Sequence, residues 1–167
     1  LLPIFSCVHR LRPIVLWSLL VVHLLGIAIV STVGARLARW SFLVAALPMA
    51  FSAAVATSAL VNQSTTRTEF TWVGPLDLTI ALRLDAFSSL IALLVSGIGV
   101  LVCVYAAGYF SASAPGLGRF AATLLGFSTA MLGLVLADTV WTMFLFWELT
   151  SITSFLLVGH QRTDPEA

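Results

Sequence analysis

The 167 residues carry eight Arg, no Lys and seven acidic side chains for a net charge of +1, with 60% hydrophobic and only 9% charged residues. That balance excludes an ordinary soluble domain and offers no basic surface to a nucleic acid. Two cysteines, Cys7 and Cys103, stand without metal or redox spacing and read as small buried hydrophobes.

Lipid must therefore solvate much of the chain, and its length is best counted in spans of about 20 residues. The sequence predicts five: Ile14 to Val33, Trp40 to Val61, Ala86 to Phe110, Phe120 to Ala137, and Thr139 to Val158. The first is bounded by Arg10, Arg12, Arg36 and Arg39, and is too long for the apolar core of a cleaved signal. The second contains Pro48, which a packed bundle tolerates when neighbouring groups satisfy the freed carbonyl. The chain starts with Leu, and residues after His160 read as the opening of a loop, so a piece of a longer protein is expected.

Between the second and third spans the period changes. Leu76, Leu78, Ile80, Leu82 and Leu84 alternate with Asp77, Thr79, Ala81 and Arg83, the two-residue repeat of a strand with one apolar face. Gly74-Pro75 separates this segment from the β-prone Phe70 to Val73, which predicts a small extramembrane hairpin over about 68–84. The fold class is thus an all-α membrane protein of about five transmembrane helices with one β-hairpin. With five crossings, Arg10, Arg12, Arg67 and Arg83 fall on one side and Arg36, Arg39, Arg119 and Arg162 on the other, so arginine counting does not orient the chain.

The run Phe146-Trp147-Glu148-Leu149-Thr150-Ser151 places a carboxylate near the middle of the fifth span. An acidic residue at that depth costs roughly 2.5–3.5 kcal/mol to insert, against a return of about 0.3–0.6 from each apolar neighbour. The helix can still insert, but Glu148 must avoid lipid. Desolvation favours the neutral carboxyl and a nearby cation favours the charged one, and a group between those influences can act as a proton relay. The alternative is a structural Glu148, hydrogen-bonded to a neighbouring helix and never titrating. Helical spacing puts Phe144, Ser151 and Phe155 on its face, with Ser151 among the hydroxyl residues that allow close helix approach.

Other polar residues are weaker candidates. His23 lies near the middle of the first span and reads as a neutral, hydrogen-bonded imidazole or, less simply, as part of an ion path. Asp85 and the Asp138-Thr139 pair are placed to cap the third and fifth helices. Gly97, Gly99, Gly126, Ala130 and Gly133 read as close-packing positions. His160 and Arg162 read as interface anchors. No zinc spacing, phosphate loop or nucleophile triad is present, so neither an enzyme nor a cofactor is expected.

The segments RLDAFSSLIALLVSGIGVLVCVYAAGYF (83–110), AMLGLVLAD (130–138) and FWELTSITSFLLVG (146–159) resemble the A-type chain of the Mrp-type multisubunit cation/proton antiporters, relatives of the large antiporter-like subunit of complex I. Complex I relatives usually follow Trp-Glu with a Gly-rich or Cys-Ser-Tyr run, whereas Glu-Leu-Thr-Ser followed by Ser-Phe-Leu-Leu is similar to the Mrp form. The family usually has Asn at the position of Thr139 and aromatics at Ala121 and Ala122. The resemblance implies the N-terminal part of an antiporter-like helix bundle in the cell membrane, with other membrane subunits as partners and protons and a monovalent cation, Na⁺, as cargo. It also implies that Glu148 pairs with a lysine on a later helix. Two rival readings are a proton-pumping subunit of an NADH:quinone oxidoreductase or membrane hydrogenase, and a purely structural membrane subunit.

Overall fold

The computed structural model describes residues 2–73, 78–111 and 114–159, with side chains from residue 14 onward. The chain runs as α1 (Leu2–Leu37), a short 3₁₀ turn (Ala38–Trp40), α2 (Ser41–Val61), β1 (Thr66–Val73), β2 (Leu78–Leu84), α3 (Ala86–Tyr109), α4 (Leu117–Leu136) and α5 (Val140–Val158). Every expected span coincides with a helix. Among the described residues four helical runs are long and apolar enough to cross a membrane, and the first, Ile14–Val61, takes in most of α1 and all of α2 in 48 residues. A straight helix of that length would be about 72 Å long, more than twice the hydrocarbon thickness. It is not straight, because Ala38 takes φ 48° and α2 folds back against α1.

Helix α4 touches α1, α2 and α3, while α5 joins the bundle through α4 and β2. Small residues set these approaches. At the membrane end opposite the hairpin, Gly34 of α1 meets Gly118 of α4 so closely that a side chain on Gly118 would run into the Gly34 and Ala35 backbone. Gly26 is pressed against Pro48 and Leu125, which seats the proline of α2 between α1 and α4. Gly99 lies against Met49, Gly126 makes ordinary contact with Thr153, and buried Ala130 lies on the same helix, so these positions pack as expected. Gly97 does not: nothing among the described residues lies within 4 Å of its Cβ position. Two residues on a helix differ by about 200° in direction, so only one of the pair can face α2.

Buried apolar side chains form two layers. One lies towards the hairpin, with Leu16, Leu19, Ala59, Leu82, Leu84, Leu132 and Leu136. The other lies towards the opposite end, with Val30, Phe42, Met49, Cys103, Leu117, Ala121 and Leu125. Cys103 is fully buried against Met49, as a small hydrophobe should be. The side chain of Cys7 lies outside the described residues.

The hairpin forms as the alternation predicts. β1 and β2 pair antiparallel, with Thr66 opposite Leu84, Phe70 opposite Ile80 and Thr71 opposite Thr79. Its turn, including Gly74, Pro75, Leu76 and Asp77, lies outside the described residues. Leu82 and Leu84 point into the core, whereas Phe70 and Trp72 are exposed, the placement of aromatic rings at a membrane interface. The indole N–H of Trp17 donates to Thr68 Oγ1 at 2.9 Å, tying α1 to β1.

Candidate functional site around Glu148

Helix α5 is held at its start by the hairpin. The link between α4 and α5 lies along the free edge of β2, where Leu82 and Ala137 form an antiparallel bridge and the Asp138 N–H donates to the Ala81 carbonyl at 2.9 Å. At the same strand residue the Ala81 N–H donates to Thr142 Oγ1 at 3.0 Å, and Thr139 Oγ1 donates to the Thr79 carbonyl at 3.1 Å. The two hydroxyls also meet at 2.8 Å, and Thr139 Oγ1 accepts the Thr142 N–H as the cap of α5. Polar groups on an unpaired strand edge must find partners. Here the first turn of α5 supplies them.

Thr139 is therefore the cap, and Asp138 has a different task from the one its position suggested. Its carboxylate takes the Arg67 guanidinium through Nε and lies 3.9 Å from Arg83 Nη1. Asp138 thereby raises the Arg67 pKa, first by hydrogen bonding and then by charge. Arg67 also reaches Glu69 at 3.2 Å, and Arg83 reaches Asp85 at 3.3 Å. Asp85 caps α3 as expected: its Oδ1 accepts the Ser88 N–H at 2.9 Å and Ser88 Oγ accepts the Asp85 N–H at 2.7 Å. The Ser88 backbone hydrogen bond is the main reason its carboxyl titrates below the ordinary value of 3.8.

From this fixed start the helix carries Glu148 two turns into the membrane. Within the chain Glu148 is exposed, and so are Phe144, Ser151 and Phe155 on the same face. The expectation of a buried carboxylate is thus not met by the described residues. α5 packs its other side on α4, with Phe146 against Gly133 and Thr153 against Gly126, and among the described residues only the hairpin borders the Glu148 face. Ser151 Oγ turns back to the Trp147 carbonyl at 3.2 Å and makes no hydrogen bond to another helix among the described residues.

Glu148 lines one end of a groove of about 530 Å³ between the hairpin and α5, together with Trp72, Ile80, Trp141, Phe144 and Leu145. The walls are otherwise almost wholly apolar. A carboxylate at the end of such a groove can accept hydrogen bonds or pair with a cation. His23 is far from this face: it is fully buried in the bundle, with Nδ1 donating to the Leu19 carbonyl at 2.8 Å. Asp138 is at the base of α5 in the ion-pair cluster. The structure therefore does not bring His23, Asp138 and Glu148 together. His160 and Arg162 lie outside the described residues. Among the described residues no three His, Cys, Asp or Glu side chains gather as metal ligands would.

Residues 70–121 match the family described as NADH-ubiquinone oxidoreductase (complex I), chain 5 N-terminus. The chain is 45% identical over 89 residues to a Staphylococcus aureus (strain MRSA252) protein named as antiporter subunit mnhA2, covering 53% of this chain and 11% of that protein. Its counterpart in strain JH9 is 42% identical over 93 residues, covering 56% and 12%. The chain thus spans about a tenth of the length of these relatives. Its fold superposes on the Mrp complex from Dietzia sp. DQ12-45-1b with a TM-score of 0.77 and 28% identity, over 88% of this chain and 16% of that one. It also shares its fold with a chain of the membrane-bound sulfane sulfur reductase, an archaeal respiratory membrane complex, at a TM-score of 0.67 and 16% identity, over 86% of this chain and 30% of the other. Together with the apolar helices and the hairpin, these likenesses make the chain similar to the antiporter-like membrane subunits of the Mrp and complex I assemblies.

Proposed function

We propose that the chain is the N-terminal part of a monovalent cation/proton antiporter subunit in the cell membrane, and that Glu148 is a station on its proton path. The supporting observation is the open face of α5. A carboxylate at mid-helix, on a face that no described helix covers, is costly against lipid, so another polar element must close over it. A lysine is the partner that the family resemblance implies, and this chain contains none. Separating such a pair leaves two uncompensated charges in a low-dielectric setting, and joining it stabilises both, so movement of the cation changes the proton affinity of Glu148. Under this reading α1 and α2 cross the membrane separately, other membrane subunits assemble on the α5 side, and Na⁺ is the exchanged cation.

The complex I family match and the shared fold of the sulfane sulfur reductase support a second reading, a transporter-like subunit serving a redox assembly. Greater identity to the antiporter subunits favours the first. Purifying the native assembly separates the two: flavin and iron-sulfur subunits would favour the redox reading. Glu148→Gln in the full protein tests the relay itself. Loss of cation-driven proton flux with assembly retained is expected, and undiminished flux would reduce Glu148 to a structural residue.

A further inference from the structure

Between the two apolar layers of the bundle lies a third layer that is polar. Each of the first four helices contributes one side chain to it: His23 from α1, Ser52 from α2, Ser96 from α3 and Ser128 from α4. Their exposures are 0%, 1%, 1% and 6%, and His23 Nε2 and the three serine Oγ atoms have no hydrogen-bond partner among the described residues. The same level follows from helix register. Gly26 meets both Pro48 and Leu125; one turn towards the hairpin from each stand His23, Ser52 and Ser128. Ser96 stands one turn towards the hairpin from Gly99, which itself packs on Met49 and lies 3.4 Å from Ser128 Oγ by its Cβ position.

We propose that this layer is a buried water-binding site, in which one or two water molecules donate to His23 Nε2 and bridge it to the serine hydroxyls. Because Nδ1 donates to the Leu19 carbonyl, the neutral ring presents Nε2 as an acceptor. Hydroxyls of threonines elsewhere in the bundle turn back to a carbonyl of their own helix, as Thr129 does to Leu125 at 2.6 Å. The three serines do not, which leaves their hydroxyls for a ligand. Leaving buried polar groups of this kind without partners is costly, and a buried water with two to four polar partners removes that cost. The ligand is water and not a cation because the lining is neutral: a dehydrated cation in an apolar bundle needs a carboxylate to offset its desolvation, and none is in the layer. The inference does not depend on the antiport reading.

The test is a cryo-EM map of the full protein in its native assembly, at a resolution that shows ordered solvent, prepared once in choline chloride and once in sodium chloride. A solvent peak within about 2.7–3.2 Å of His23 Nε2 in both maps is expected, and its loss in His23→Phe with helix positions unchanged would assign it to the imidazole. The wild-type maps decide the matter even if that variant fails to assemble. A serine hydroxyl bonded directly to Nε2, a closed layer without a peak, or a peak seen only in sodium would each overturn the proposal.

Discussion

The ring of Phe146 on α5 lies directly over Gly133 on α4, so close that a methyl group on the glycine would overlap three ring carbons. This contact sets how near the two helices come, two residues before Glu148. Gly133→Ala must push the ring away, and overpacking of this kind costs about 1–3 kcal/mol. A lower thermal midpoint of the purified assembly is expected, largely restored by adding Phe146→Leu, which withdraws the ring. An unchanged midpoint in Gly133→Ala would show that the contact does not set the spacing.

Thr142 is fully used: its hydroxyl accepts the Ala81 N–H and meets Thr139, and it is 1% exposed. Thr142→Val keeps shape and leaves the strand N–H buried without a partner, at about 1–3 kcal/mol. Amide exchange at Ala81 reads the effect locally. Faster exchange in the variant is expected, and unaltered protection would mean that the strand edge is held without the threonine.

The Asp85 cap carries a pH dependence of defined sign. Its carboxyl titrates below the ordinary value of 3.8 in the folded chain, so the stabilisation is complete above that value and is lost as pH falls through the lower folded one. Asp85→Ala removes the cap at about 1 kcal/mol. Thermal midpoints of wild type and variant should therefore differ at pH 7 and draw together in strong acid. A gap that is constant with pH would rule out the charged cap as its source.

Which arginines are engaged predicts an orientation. Arg67 and Arg83, on the hairpin side, share Asp138, Glu69 and Asp85. On the opposite side Arg39 rests over Trp40, and no ion pair involves Arg36, Arg39 or Arg119 among the described residues. Cations without carboxylate partners suit the anionic cytoplasmic leaflet. A cysteine placed at Glu69 should react with an impermeant maleimide from outside the cell and one at Arg119 should not; the reverse pattern would invert the assignment.

Hydropathy located all five helices because lipid contact is a property of composition, summed over a whole helix. It did not locate the start of α1, which begins at Leu2 although the apolar run begins at Ile14. Helical backbone needs no lipid, and the Arg10-containing segment can be helical outside the membrane. The two-residue repeat made the hairpin legible, since alternation is local. The second partner of β2 was not legible, because the bond from Ala81 to Thr142 spans 61 residues and leaves no periodic signature. For the same reason Asp138 read as a cap: the arginine that engages it, Arg67, is 71 residues away. Glu148 was legible as an anomaly of composition, and its openness was not, since exposure depends on which helices stand beside α5.

Pinned to the strand edge at one tip and packed on α4 along one side, α5 is built like a lever. Its fulcrum is the pair Thr139 and Thr142 on the strand edge, and Glu148 sits about 12 Å along the arm, less than half of its length. A tilt of the helix about that fulcrum would shift position 148 by roughly half as much as position 158, so the strand-edge threonines set how finely Glu148 is placed.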